Sequence, residues 1–215
     1  MIIYTIKNLV QTKFQGYFRL VLPFLFVFSM LYCLILGFIE QKKERSDLDK
    51  MAQIPVRYSS LPNPHCSQDN LELAIALFSI KLPNKLKSID YLSSLPFRGI
   101  TLGNAFKNNK IIFIGSSAFN SWGILGSTLA HEAEIHGNQS FIKIELLNFA
   151  AYLIVSLANN NLFFSDKFNV TIPLSYGTYT AELEAYNYEL ISKKRFHLSL
   201  DEVAAIKKTI ITDVI

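Results

Sequence analysis

Cysteine is almost absent from these 215 residues: Cys33 lies inside an apolar run and Cys66 stands alone in a loop. Two such residues give no disulfide framework and carry no signal of redox compartment. Acidic residues are missing from the first 39 positions; all 17 lie from Glu40 onward, against 18 of the 21 basic ones. The net charge of +4 is therefore mostly N-terminal, and the body of the chain is close to neutral. No basic stripe is visible, so nucleic acid is not expected as a partner. No Gly-x-Ser-x-Gly elbow, phosphate-binding glycine loop or dinucleotide glycine motif occurs, which removes the usual signatures of serine hydrolases and nucleotide-binding folds. There are no internal repeats.

What is abundant is apolar sequence. Half of the residues are hydrophobic and the mean hydropathy is positive, at +0.25. The clearest source is Leu20 to Ile39, an uncharged run between Arg19 and Glu40. As a helix it would span about 30 Å, the thickness of a bilayer core. It is longer than the h-region of a signal peptide, and no small-x-small cleavage site follows it. The sequence therefore predicts one transmembrane helix over 20–39, embedded in a lipid bilayer as a single-pass anchor. Lys7, Lys13 and Arg19 precede it, and Lys42, Lys43, Arg45 and Lys50 follow. These flanks nearly balance under the positive-inside rule. The expected orientation places the N-terminus inside and the domain on the outer, non-cytoplasmic side.

Around this run the chain divides into an amphipathic segment, 1–19, a charged and then Pro-rich tether, 40–70, and a compact domain, 71–215. Within the domain, Leu71–Ile80 reads as a helix capped by Asp69 or Asn70. Lys110–Gly115 is the best strand, rich in β-branched and aromatic residues. Helices are expected over Trp122–Gly137, Phe141–Ala158, Thr178–Arg195 and Asp201–Ile211, the last with a Ser199-x-x-Glu202 capping box. A further strand is expected over Phe168–Leu174. The fold class is mainly α with a small β element, α+β.

Two of the four histidines fall in one motif, His131-Glu132-Ala133-Glu134-Ile135-His136, followed by Gly137. Imidazoles give neutral nitrogen ligands for zinc, and a glutamate beside the first can activate a metal-bound water. Five-residue spacing, however, places two side chains about 140° apart on a regular α-helix. A π-bulge would absorb the extra residue, and Gly137 frees the backbone after His136. A third ligand is expected from Tyr179–Leu190, where Glu182 and Glu189 share a helical face and Glu184 points elsewhere. His65 and Cys66 form another potential ligand pair, but an adjacent pair in a Pro-rich loop is more often exposed sequence. A carboxylate-rich bundle using His131, Glu134, Glu145, Glu182 and Glu189 lacks the paired Glu-x-x-His helices that such sites need.

These motifs carry a resemblance. His-Glu-x-x-x-His followed by Gly is similar to the motif of dipeptidyl peptidase III. Glu182-Leu-Glu-Ala185 is similar to the Glu-x-x-Ala helix of small bacterial zincins such as the ImmA/IrrE group. The chain thus resembles gluzincin-type zinc metallopeptidases over roughly residues 110–195. The resemblance implies a zincin-like domain and a zinc cofactor held by His131, His136 and Glu182, with Glu184 as the alternative third ligand. It implies Glu132 as general base and a peptide or protein as substrate. Where many gluzincins carry an Asp that orients the first histidine, this chain has Tyr186. Tyr176, Tyr179, Tyr186 and His197 are the candidate oxyanion donors. Ile111–Ile114 is the expected edge for a substrate strand.

The expected function is a membrane-anchored, zinc-dependent peptidase. The alternative is a non-enzymatic anchored helical protein, either an inactive zincin scaffold or a partner-binding protein. Convergence of His131, His136 and Glu182 discriminates between them.

Overall fold

The computed structural model describes residues 61–103, 109–159 and 175–214, with 27–29, 31, 32, 35, 48, 49, 51–56 and 58. The chain divides into two compact units, Met1–Glu40 and Gln41–Ile215. In the first unit, the described residues 27–29, 31, 32 and 35 are helical. The expected transmembrane helix is overturned: among the described residues, no helix is long and apolar enough to cross a membrane. A span takes about 20 consecutive apolar residues, and most of 20–39, with all of 1–19, lies outside the described residues. The bilayer contact expected through 20–39 rested on that helix. What stands of the expected fold class is its α+β part, mostly helices with one small sheet.

The second unit builds that sheet from β1 (Leu86–Tyr91), β2 (Gly99–Gly103) and β3 (Lys110–Ile114), in the order β1-β3-β2. β1 runs parallel to β3 and β2 antiparallel to it, with Gly99 opposite Ile114 and Thr101 opposite Ile112. The β-branched residues that mark β3 as a strand also make it the central one. Its side chains alternate, and Lys110, Ile112 and Ile114 are buried. The strand expected to offer a substrate edge is therefore paired on both sides. Among the described residues β2 pairs only with β3, so the edge beside the histidine helix belongs to β2.

Helix α1 (Gln68–Leu77) precedes the sheet and is capped by the Ser67 side chain, which accepts from Asn70 N, in place of the Asp69 or Asn70 cap that the sequence suggested. A short 3-10 turn, Ser116–Asn120, leads from β3 into α2 (Trp122–Leu129), capped by Ser121. Next come α3 (Phe141–Asn159), α4 (Tyr176–Ile191) and α5 (Leu200–Thr209). The Ser199–Glu202 capping box closes the start of α5 with both reciprocal bonds in place. The strand expected over Phe168–Leu174 lies outside the described residues.

The core joins α1, the sheet, α2 and α4 through Leu71, Phe78, Ile112, Leu125, Leu129 and Tyr188. Within the stretch expected as a tether, Leu48 and Ala52 are buried in this core, and the Trp122 indole donates to Pro62 O. One polar network is sealed into it. Arg195 grips Glu134 with two bonds, at 2.7 and 2.9 Å, and the Tyr188 hydroxyl donates to the same carboxylate at 2.9 Å. A buried charge is tolerated when paired and fully hydrogen-bonded in this way. This commits Glu134 to the core and removes it from any metal site.

Candidate metal centre

The residues between α2 and α3 do not continue as α-helix. Ala130–His136 is π-helical, and Gly137 N donates to Glu132 O, five residues back. In such a turn the hydrogen bond closes on the fifth residue, so side chains five apart stack as those four apart do in an α-helix. His131 and His136 therefore share a face, with ring centroids 4.7 Å apart. Lys110 secures the end of this turn. Buried at the start of β3, its ammonium donates to His136 O at 3.1 Å, to Gln139 O at 2.7 Å and to Gly137 O. A cation at carbonyls left open by a helix end is favourable.

Helix α4 crosses this face and brings Glu182 to the pair. His131 Nε2 lies 3.1 Å from His136 Nε2 and 3.5 Å from Glu182 Oε2, and His136 Nε2 lies 3.3 Å from Glu182 Oε1. Glu184, the alternative ligand, turns away and accepts from Gln139 Nε2 at 3.1 Å. Glu145 lines the same cleft but is not in the cluster, and neither are His65 and Cys66.

The outer nitrogens fix the tautomers. His131 Nδ1 meets Glu189 Oε1 and His136 Nδ1 meets Gln139 Oε1, each at 2.7 Å. The Gln139 amide is oriented independently, because its nitrogen donates to Ala181 O at 3.0 Å and to Glu184. Both oxygens only accept, so each Nδ1 donates and each Nε2 is turned into the cluster. The centre thus gathers two imidazole Nε2 atoms and a carboxylate within 4.8 Å of one another. Such a cluster is held together by a cation, either a proton on an imidazole or a metal ion between the three groups. Ligands about 2.0–2.1 Å from a tetrahedral zinc would stand about 3.3 Å apart, and the observed separations of 3.1, 3.3 and 3.5 Å bracket that value.

The surroundings favour positive charge at the same place. Burial disfavours a charged His131, but bonds to Glu182 and Glu189, with the charges of Glu189 and Glu132, outweigh it and raise its pKa to about 10. Burial likewise pushes Glu182 up, yet the two histidines hold it well below the usual carboxylate range. These directions describe the site with a proton as its only cation.

Glu189 is the orienting partner of His131 that the sequence left open. It sits two turns after Glu182 on the same face of α4 and is fully buried. Arg98 holds it with two bonds, at 3.0 and 2.9 Å. Ligating histidines whose outer partner is removed typically lose about 10–100-fold in metal affinity. Glu189→Gln keeps an acceptor for Nδ1 but breaks the paired contact with Arg98. We expect its zinc affinity, measured by competition with a chelating dye, to fall within that range. An unchanged affinity would deny Glu189 the role.

Glu132 points to the edge strand. Its carboxylate accepts from the Thr101 hydroxyl at 2.7 Å, and that hydroxyl also lies 3.0 Å from Glu132 O. Gly99, two residues earlier on the same face of β2, leaves the room this needs: a Cβ there would stand 2.7 Å from Glu132 Cγ and Oε1. His131, Glu132, His136 and Glu182 all open onto one cleft of about 650 Å³. It is lined by Gly99, Ile100 and Thr101 of β2 and by Phe141, Ile144 and Ala181.

Of the four candidate oxyanion donors, Tyr186 lines this cleft, its ring edge-on to His131 at 4.6 Å. Burial raises its hydroxyl, Arg98 opposes, and the charges of Glu182 and Glu189 add to the rise, leaving it at about 12. It is thus a protonated donor at neutral pH. Tyr176 and Tyr179 stack on each other, and His197 packs against Tyr58. The chain matches no family model, no curated protein and no solved structure. The likeness to zinc peptidases therefore rests on its two motifs.

Proposed function

We propose that this protein is a zinc-dependent peptidase. The observation that carries the reading is the cluster of His131, His136 and Glu182 opening onto a cleft beside the Glu132 carboxylate. When bound there, zinc would supply a Lewis acid for a scissile carbonyl and would lower the pKa of a water.

The chain's own groups account for the rest. Glu132 takes a proton from the attacking water and passes it to the leaving amine. The Thr101 hydroxyl holds that carboxylate in place before the transfer. Tyr186 and Arg98, both on the cleft wall, are the donors available to negative charge developing on the carbonyl oxygen. An extended peptide would pair with the outer edge of β2, whose Gly99, Ile100 and Thr101 line the cleft. That edge would carry the scissile bond past Glu132.

The test is cleavage of a mixture of unstructured peptides by the full chain, followed by mass spectrometry. We expect cleavage that stops on chelation and returns with zinc. Folded, zinc-loaded protein that cuts none of the mixture would contradict the proposal.

A further inference from the structure

Most charged side chains that line the cleft already have a partner. Glu182 joins the histidine cluster, Glu132 bonds to Thr101, and Arg98 is held by Glu189. Glu145 is the exception. It lines the same cleft, is exposed, and makes no hydrogen bond or ion pair among the described residues. Its place on α3 fixes its direction. Phe141, one turn earlier, and Asn148, almost one turn later, share its side of the helix. The Phe141 ring lies over Gly103 of β2, where a Cβ would collide with it. The Asn148 side chain accepts from Gly177 N at 2.8 Å, and so faces the start of α4. Glu145 therefore stands between a residue turned to β2 and one turned to α4, the two elements that bring Thr101, Ala181 and Glu182 to the cleft.

We infer that Glu145 is a specificity-determining residue, which selects peptides with a lysine or arginine side chain near the scissile bond. The inference rests on the peptidase reading and deepens it by naming the class of substrate. The charge balance of the cleft carries it. Glu182 and Glu132 balance a divalent ion at the centre, and Glu189 balances Arg98. The charge of Glu145 is the one left for a substrate to meet. The lining around it selects further. Its neighbours on α3, Phe141 and Ile144, are apolar, and Ala181 of α4 adds to them. A lysine or arginine side chain is an apolar stem that ends in a cation. Phe141 and Ile144 suit the stem, and the Glu145 carboxylate takes the head. An N-terminal amine has the charge without the stem and makes no use of the apolar wall. An acidic side chain at the same position meets a like charge and is rejected.

The test compares the full chain with its Glu145→Gln and Glu145→Lys variants on N-acetylated peptides. These carry lysine, norleucine or glutamate at one position flanking the cut, each position being varied in turn. Acetylation removes the terminal amine as a rival cation. At one position the wild type should cut the lysine peptide fastest and the glutamate peptide slowest. Glu145→Gln should lower the lysine-to-norleucine ratio of kcat/KM about three- to fivefold, the upper range for an exposed ion pair. Added salt should shrink the wild-type ratio in the same direction. Glu145→Lys should reverse the order of the lysine and glutamate peptides. Zinc content should not change in either variant, because Glu145 is outside the cluster. An unchanged ratio in Glu145→Gln would overturn the inference, and so would a loss of zinc. A preference that appears only when the peptide terminus is free would give the carboxylate to an N-terminal amine and overturn it too. Wild-type protein that holds zinc and cuts no peptide would overturn the peptidase reading itself, and the inference with it, an outcome distinct from the others.

Discussion

Glu132→Gln is expected to keep its zinc and lose hydrolysis by about 10²–10⁴-fold, the usual worth of a placed general base. The two halves of this result separate the roles on the π-helical turn. Glu132 is absent from the ligand cluster, so its replacement leaves His131, His136 and Glu182 in place. Glutamine keeps the shape and can still accept from Thr101. What it cannot do is hold the proton of the attacking water. Turnover of the peptide found to be cleaved, measured beside zinc content, reads both at once. A Gln variant as active as the wild type would remove Glu132 from the chemistry. A variant that loses zinc would show that the carboxylate supports the metal instead.

The second large effect is expected at Glu182. Glu182→Ala takes away the only carboxylate of the cluster and leaves two imidazole nitrogens, 3.1 Å apart, facing a hole. Its affinity for zinc should fall by more than the about 100-fold upper range for loss of an outer partner. Activity should be lost with it, because the Lewis acid and the activated water go together. Glu184→Ala is the control, since Glu184 bonds to Gln139 outside the cluster. The order of the two variants decides the third ligand. A greater loss of zinc in Glu184→Ala would transfer that role to Glu184.

The site was legible in the sequence where the chemistry is local. The paired histidines, the glutamate between them and the need for a widened turn follow from a six-residue window. The wide turn is real, because the i to i+5 bond at Gly137 is formed. The ordering of the α4 glutamates was half legible. Same-face spacing tied Glu189 to Glu182, but nothing local says that Arg98, 91 residues earlier, would hold it against His131. Gln139 and Thr101 were invisible for the same reason: each is an ordinary polar residue until another element is brought against it. Lys110 opens the expected strand, yet its side chain is buried and bonded to the carbonyls of His136 and Gln139. Strand β2 was hidden by Gly99, Gly103 and the turn signals before them. Glycine argues against a strand by propensity, but at Gly99 it is what lets the strand pass over Glu132. The apolar run over 20–39 misled in the other direction, since composition alone predicted a spanning helix and no described helix meets that requirement.

X-ray absorption at the zinc edge of the purified full chain tests whether His131, His136 and Glu182 hold a zinc ion. One zinc per chain is expected, with two imidazole nitrogens at about 2.0–2.1 Å and carboxylate or water oxygens at about 2.0–2.2 Å. His131→Ala should abolish the imidazole signature along with most of the metal. Folded protein that takes up no zinc, or zinc held by sulfur at about 2.3 Å, would contradict a centre built from His131, His136 and Glu182.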